Sequence, residues 1–261
     1  GVGTKYRVPA SGAHLSPEIF RSSIISYSRR IWYPFLNDFL NCLDLGTGGA
    51  FMRKTEALGP YTLSWEEGVF PLGGDALALG AFASIKPGWR VCDLGTGSGA
   101  LLLLLARRVE GLSLTGIDID PRSAQTAREN LAANRLEGQI LTGDLRAAPL
   151  PAGGFDLAVS NPPYFPVGSG TSGGPARSEE SCTLEELCAA AGRLVKNGGR
   201  FALCHRPERL VDVVCSLRGH GLEPKRLKLV SHGPGHPPSL LLVEAVKQGK
   251  PGLSIETDVN M

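Results

Sequence analysis

The chain has 261 residues, 42% of them apolar, and a formal net charge of +2. That length suits one large α/β domain or two small ones with a substantial core. No apolar run approaches the ~20 residues of a membrane span, and so small a net charge confines any nucleic-acid-binding surface to a local basic patch.

Residues 1–51 read differently from the rest. Ser16-Pro17-Glu18 has the order of a helix start: cap, proline, acid. Ile24, Ile31, Trp32, Phe35, Leu36, Phe39 and Leu40 follow at roughly helical spacing. Asp44-Leu45-Gly46-Thr47-Gly48-Gly49-Ala50 echoes Asp93-Leu94-Gly95-Thr96-Gly97-Ser98-Gly99. It leads into Met52-Arg53-Lys54 rather than a long apolar helix, so a second cofactor loop is not expected there. Met52 can itself serve as a natural start, which makes residues 1–51 a helical extension or a leader or non-native segment.

From about Thr55 the pattern is regular. Strands are expected near 90–94, 113–117, 139–142, 156–160, 200–205, 224–230 and 239–246. Helices are expected over 99–109, 122–133, 183–195 and 207–218. The run Ala100-Leu101-Leu102-Leu103-Leu104-Leu105-Ala106 reads as a buried helix. Strands alternating with helices predict a Rossmann-like, doubly wound α/β fold with a mostly parallel, seven-stranded sheet. The last two strands have no helix between them and predict an antiparallel terminal pair. Residues 247–261, polar with proline and glycine, read as a tail, and the main domain is bounded at 52–256 with 257–261 beyond it.

None of the six cysteines (Cys42, Cys92, Cys182, Cys188, Cys204, Cys215) forms a Cys-x-x-Cys pair. They read as reduced thiols of a cytoplasmic protein, with Cys92 and Cys204 acting as small apolar residues inside strands. The histidines His14, His205, His220, His232 and His236 have no metal-ligand spacing and read as surface or structural residues, so no metal site is expected.

Chemistry concentrates at the carboxyl ends of the expected strands, where open α/β sheets bind ligands. Val91–Gly99 runs from a strand through a glycine loop into a helix, a geometry that admits close approach of a ligand and favours its negative groups. Asp93 at the head of this loop can orient it or face a cationic group. Asp118 ends the second strand, where a carboxylate can grip two ribose hydroxyls, and Asp120 before Pro121 reads as a helix cap. Asp144 ends the third strand and can accept from an adenine amino group or simply serve a turn. Asn161-Pro162-Pro163-Tyr164 ends the fourth. Asn161 offers a side-chain oxygen and Pro162 a carbonyl whose direction Pro163 restricts. Tyr164 offers a ring face. This set suits methylation of a planar amino group, whose delocalised lone pair makes it a poor nucleophile. The plain alternative is a proline-rich loop after a strand.

Read together, four segments carry a resemblance: Phe70–Leu79, Asp93–Gly99, Ser160–Phe165, and Ala176–Glu179 with Cys204–Leu210. The chain resembles class I S-adenosylmethionine-dependent methyltransferases and, more narrowly, the bacterial adenine-N6 methyltransferases of valine tRNA, over roughly residues 52–256. The resemblance implies S-adenosyl-L-methionine as cofactor, held by Asp75, Asp93, Gly95, Gly97, Asp118, Asp144 and Leu145. It implies Asn161, Pro162 and Tyr164 as catalytic residues, with Pro163, Phe165 and Arg177 on the substrate. The implied partner is the anticodon region of tRNA, with no metal and no membrane. Arg177, Arg206 and Arg209 are candidate phosphate contacts, each also readable as an ordinary surface arginine. The glycine-rich stretch Gly168–Gly174 departs from the family and is a candidate lid. The competing substrates are a protein glutamine amide, as in release-factor methyltransferases, and guanine N2 in rRNA.

Overall fold

A sheet covered by helices on both faces needs strands that are apolar almost throughout, because neither face meets water. The computed structural model describes residues 53–69, 72–162, 182–231, 233 and 235–256. In chain order the elements are β1 (Lys54–Leu58), β2 (Tyr61–Trp65), α1 (Gly74–Phe82), β3 (Arg90–Leu94), α2 (Ala100–Ala106), β4 (Ser113–Asp118), α3 (Pro121–Ala133), β5 (Gly138–Thr142), β6 (Phe155–Ser160), α4 (Leu184–Leu194), β7 (Val195–His205), α5 (Leu210–Gly219), β8 (Leu222–Ser231), β9 (Pro238–Lys247) and β10 (Ser254–Glu256).

β1 and β2 form a separate antiparallel hairpin, and the other eight strands form one sheet in the order β10-β8-β9-β7-β6-β3-β4-β5. Pairing is parallel from β5 through β7, and β9 runs antiparallel to both β7 and β8. Alternate residues of each central strand feed opposite layers. Val91, Leu157, Val159 and Ala202 join α1, α2 and α3 in one core, while Cys92, Ala158, Phe201 and Leu203 join α4 and α5 in the other. The doubly wound expectation holds, as does the antiparallel pair β8–β9. All seven residues of α2 are buried.

The strand count corrects the expected seven. Ser254–Glu256 adds an eighth, parallel to β8, with Ile255 opposite Leu227. Three residues are too few to show an alternating pattern, and this strand is held by tertiary contacts, including a 2.7 Å ion pair between Arg226 and Glu256. The tail reading of residues 247–256 is therefore withdrawn. The β1–β2 hairpin and α1 also escaped the sequence reading: the two strands are short, and α1 has glycine at both its N-cap and its first position and lacks a polar stripe to mark its period. Residues 1–52, with the expected helix there and Cys42, lie outside the described residues.

A buried carboxylate fastens α1 to the sheet. Glu244 on β9 is fully buried and accepts from the Ser84 N–H (2.6 Å), the Ser84 hydroxyl (2.8 Å) and the Arg200 guanidinium (2.7 Å). Arg226 reaches the same carboxylate at 3.3 Å, donates to the Phe82 carbonyl at 3.1 Å and covers the Phe82 ring. Removing the carboxylate leaves the Ser84 donors and two partly buried guanidiniums without their shared acceptor. Glu244→Ala should therefore lower the unfolding free energy by about 3–5 kcal/mol, and Glu244→Gln by clearly less, as measured by urea denaturation.

Candidate active site

The strand order reverses between β3 and β6, and ligands bind at such switch points beyond the carboxyl ends of the strands. The glycine loop leaves β3 there and Asn161 leaves β6 beside it. The two strand ends are tied directly, because the buried Ser160 hydroxyl donates to the Leu94 carbonyl at 2.7 Å.

The loop is laid against the end of β4. The N–H groups of Gly95 and Thr96 both donate to the Ile117 carbonyl, at 2.9 and 3.0 Å. The Gly97 N–H donates to the Asp118 carboxylate at 2.8 Å, and the Asp120 N–H takes its other oxygen at 2.9 Å. Gly95 (φ +78) and Gly97 (φ +54) hold left-handed backbone that side chains rarely tolerate. Gly116 on β4 is required for a different reason: a Cβ there would stand 2.9 Å from Thr96 Oγ1 and 2.8 Å from Ile140. Its role was not legible because nothing local marks it.

Two carboxylates flank this loop. Asp93 is 1% exposed, and one of its oxygens accepts the Thr96 hydroxyl at 2.9 Å. Its other oxygen, Oδ1, is the one buried side-chain polar atom among the described residues without a hydrogen-bond partner. Burial pushes the Asp93 carboxyl up to about 7, against the Thr96 hydrogen bond and with the charge of Asp118 adding to the rise. Burial also raises Asp118, against the N–H groups of Asp120 and Gly97. Asp120 caps α3 through the N–H groups of Arg122 and Ser123, as its position before proline predicts.

The other expected positions are less uniform. Asp75 lies half-buried in the first turn of α1. Asp144 accepts the Arg146 N–H at 2.9 Å and binds the Arg146 guanidinium through both oxygens, and Arg146 continues to Glu186 at 3.0 Å. These hydrogen bonds hold the Asp144 carboxyl below the usual carboxylate range. This is the local geometry of a turn aspartate, and an adenine amino group would share the partly exposed carboxylate with Arg146. Leu145 follows, half-buried. Arg206 is exposed, whereas Arg209 pairs with Asp212 at 2.6 Å. Pro163, Tyr164, Phe165, Gly168–Gly174 and Arg177 lie outside the described residues.

Asn161 and Pro162 are half-buried at the end of β6. The parallel register of β6 with β7, Ser160 opposite Leu203, carries Cys204 alongside Asn161. The buried Cys204 thiol donates to the Asn161 side-chain oxygen at 3.1 Å. The next residue, His205, is 1% exposed, and its Nδ1 accepts the Arg206 N–H at 2.8 Å. Burial first, then the charge of Arg209, lowers its pKa to about 4, so the ring is neutral at physiological pH. Of the two roles expected for His205, surface or structural, its burial fits the structural one; Ile119, 52% exposed between Asp118 and Asp120, has no counterpart in the expected site. An apolar residue between two carboxylates at a strand end was the available signal for Ile119.

Among the described residues no group of three His, Cys, Asp or Glu side chains is placed to hold a metal ion, and no helix is long and apolar enough to cross a membrane. A cleft lined by Gly111, Ser113, Thr115, Glu137 and Gln139 lies at the amino ends of β4 and β5, the opposite edge of the sheet from the carboxylates.

The chain is similar to two proteins named tRNA1(Val) (adenine(37)-N6)-methyltransferase. The one from Porphyromonas gingivalis is 35% identical over 189 residues, covering 66% of this chain and 73% of the relative. The one from Parabacteroides distasonis is 34% identical over 195 residues, covering 70% and 80%. A solved structure described as a predicted O-methyltransferase from Agrobacterium tumefaciens shares the fold, with a TM-score of 0.58 at 23% identity over 69% of this chain and 84% of that one. The profile of the methyltransferase small domain matches residues 73–209, which span β3 to β7 and every strand end described above. With its glycine loop, flanking carboxylates and Asn161 at the switch point of a doubly wound sheet, the chain belongs to the methyltransferase small domain family.

Proposed function

We propose that this protein transfers a methyl group from S-adenosyl-L-methionine to the exocyclic N6 of an adenosine in tRNA, the one next to the anticodon of a valine tRNA. The observation that carries the reaction is the convergence of the glycine loop and Asn161 on one switch point, joined through Ser160 and Leu94. The choice of nucleotide rests on the relatives, whose names specify adenine 37 of tRNA1(Val). A cytoplasmic location accords with a tRNA substrate.

The residues fit the cofactor. The unpartnered Oδ1 of Asp93 is a buried anionic acceptor beside the loop, suited to an ammonium group. Asp118 is oriented by the Gly97 and Asp120 N–H groups and keeps lone pairs for ribose hydroxyls. Asp75 in the first turn of α1 completes the polar end. Ile119 and Leu145 offer apolar surface to the adenine ring, the part left to them while Asp144 is paired with Arg146. When bound, S-adenosylmethionine supplies the methyl group from a sulfonium.

The protein's own contribution at the target is alignment. The Asn161 side-chain oxygen and the Pro162 carbonyl accept the two N–H bonds of the amino group and stabilise the positive charge that develops on nitrogen. The Cys204 thiol, donating to the Asn161 side-chain oxygen, helps orient that amide. Positioning of this kind is worth about 7–11 kcal/mol in favourable cases. Tyr164 stacks on the base, an interaction worth about 1–3 kcal/mol, with Pro163 and Phe165 beside it. Arg177 and the exposed Arg206 contact phosphates. An anticodon loop presents its base at lower unstacking cost than a duplex.

Incubation with labelled cofactor and separate pools of unmodified tRNA, rRNA and release factor should place the label on adenine N6 of valine tRNA. Label on a protein amide instead would overturn the substrate assignment. Asn161→Ala should lower kcat by on the order of 10²–10³, with the cofactor Kd unchanged within a factor of about two, as read by single-turnover assay and calorimetry.

Asp93 yields a prediction with opposite signs for stability and binding. Its folded pKa of about 7 lies above the ordinary 3.8, so the native protein holds the extra proton between those values. Stability of the free protein should therefore fall as pH rises across that window and level off above it. Cofactor affinity should run the other way, weakening as the carboxylate protonates below about pH 7. Asp93→Asn should flatten both profiles, raise Tm at pH 8 and weaken cofactor binding by roughly 10- to 100-fold, the effect of one charged hydrogen bond. Thermal melts and calorimetry at pH 5.5 and 8 distinguish these outcomes.

A further inference from the structure

Two asparagines four residues apart, Asn130 in α3 and Asn134 at its C-cap, bind the backbone of the β1–β2 hairpin as a neighbouring strand would. Asn134 accepts the Thr62 N–H and donates to the Thr62 carbonyl, both at 2.8 Å. Asn130 accepts the Ser64 N–H at 2.9 Å and donates to the Ser64 carbonyl at 2.8 Å. A carboxamide carries the same donor–acceptor pair as a peptide group. Four residues of helix advance about 6 Å and two residues of strand about 6.8 Å, so the two pairs register.

Asn130 does one thing that Asn134 does not. It is 1% exposed, and its amide nitrogen also donates to the Ser98 carbonyl of the glycine loop at 2.8 Å. The helix and the loop touch again at Gly99, where a Cβ would lie 3.3 Å from the Ala127 Cα. Beyond Trp65 the chain turns at Gly68, against the guanidinium of Arg122 in the first turn of α3, which also pairs with Asp120. The Asn130 side chain thus joins the hairpin to the loop.

We infer that Asn130 is a positioning residue for the cofactor: it couples the β1–β2 hairpin to the glycine loop, so that cofactor binding and hairpin order reinforce each other. This rests on the loop being the cofactor site. Asn134, which holds the hairpin without touching the loop, is the internal control.

The test compares wild type, Asn130→Ala and Asn134→Ala by calorimetry with S-adenosylmethionine, with Tm recorded for each. Both variants should lower Tm. Asn130→Ala should weaken cofactor binding by roughly tenfold or more, the loss of an oriented buried hydrogen bond, and Asn134→Ala by less than about threefold. Methylation kinetics should show the loss in the cofactor KM rather than in kcat. Wild-type amide exchange gives a second measurement that requires no variant to fold: cofactor should slow exchange of the Ser64 N–H. Equal cofactor affinity in Asn130→Ala and Asn134→Ala, or Ser64 exchange indifferent to cofactor, overturns the coupling alone. A wild type that does not bind S-adenosylmethionine overturns the cofactor site and the coupling together.

Discussion

The Asp118 carboxylate, shared between the Gly97 and Asp120 N–H groups, is the interaction on which the site is built. It fastens the glycine loop of β3 to the end of β4 and, through Asp120, to the start of α3. The neighbouring bonds from Gly95 and Thr96 to the Ile117 carbonyl repeat the connection at the main chain. Once the loop lies there, Thr96 must sit over Gly116, and its hydroxyl is delivered to Asp93. The arrangement follows from one loop having to cross one strand end at close range.

That closeness has an energetic cost. Burial raises the affinity of both Asp93 and Asp118 for protons, the charge of Asp118 adds to the rise at Asp93, and Asp93 retains an oxygen with no partner. An unsatisfied buried acceptor costs about 1–3 kcal/mol. A carboxylate in that state is poorly suited to hold a fold together and well suited to meet a cation, in keeping with stability given up at a binding site and supplied elsewhere. Elsewhere here includes Glu244, equally buried but surrounded by donors from Ser84, Arg200 and Arg226. The two carboxylates differ in whether the fold completes their hydrogen bonds.

Several elements were open to reading along the chain. Val91–Gly99 announced a strand, a turn and a helix because glycines and apolar residues act locally. Asp118 and Asn161 stood out because each follows an apolar run, and the sheet brings both to one edge. The parallel order followed from alternating periods, and the terminal antiparallel pair from a connection with no helix in it. β10 was missed because three residues carry no period. The pairing of Asp144 with Arg146 was not legible because Arg146, two positions on, has the same local signature whether it turns back or reaches outward.

The sequence by itself determined the doubly wound plan, the glycine loop after β3 and the position of Asn161 at the end of β6, since these depend on backbone preference and apolar spacing within a few residues. Only the tertiary structure decided which carboxylate is left unsatisfied, which is consumed by an ion pair and which asparagine reaches the loop. Those outcomes rest on partners distant in the chain: 66 residues separate Ser64 from Asn130, and 160 separate Ser84 from Glu244. A hydrogen bond needs its partner within about 3 Å and correctly aimed, and across such separations only the completed packing of strands and helices sets that distance.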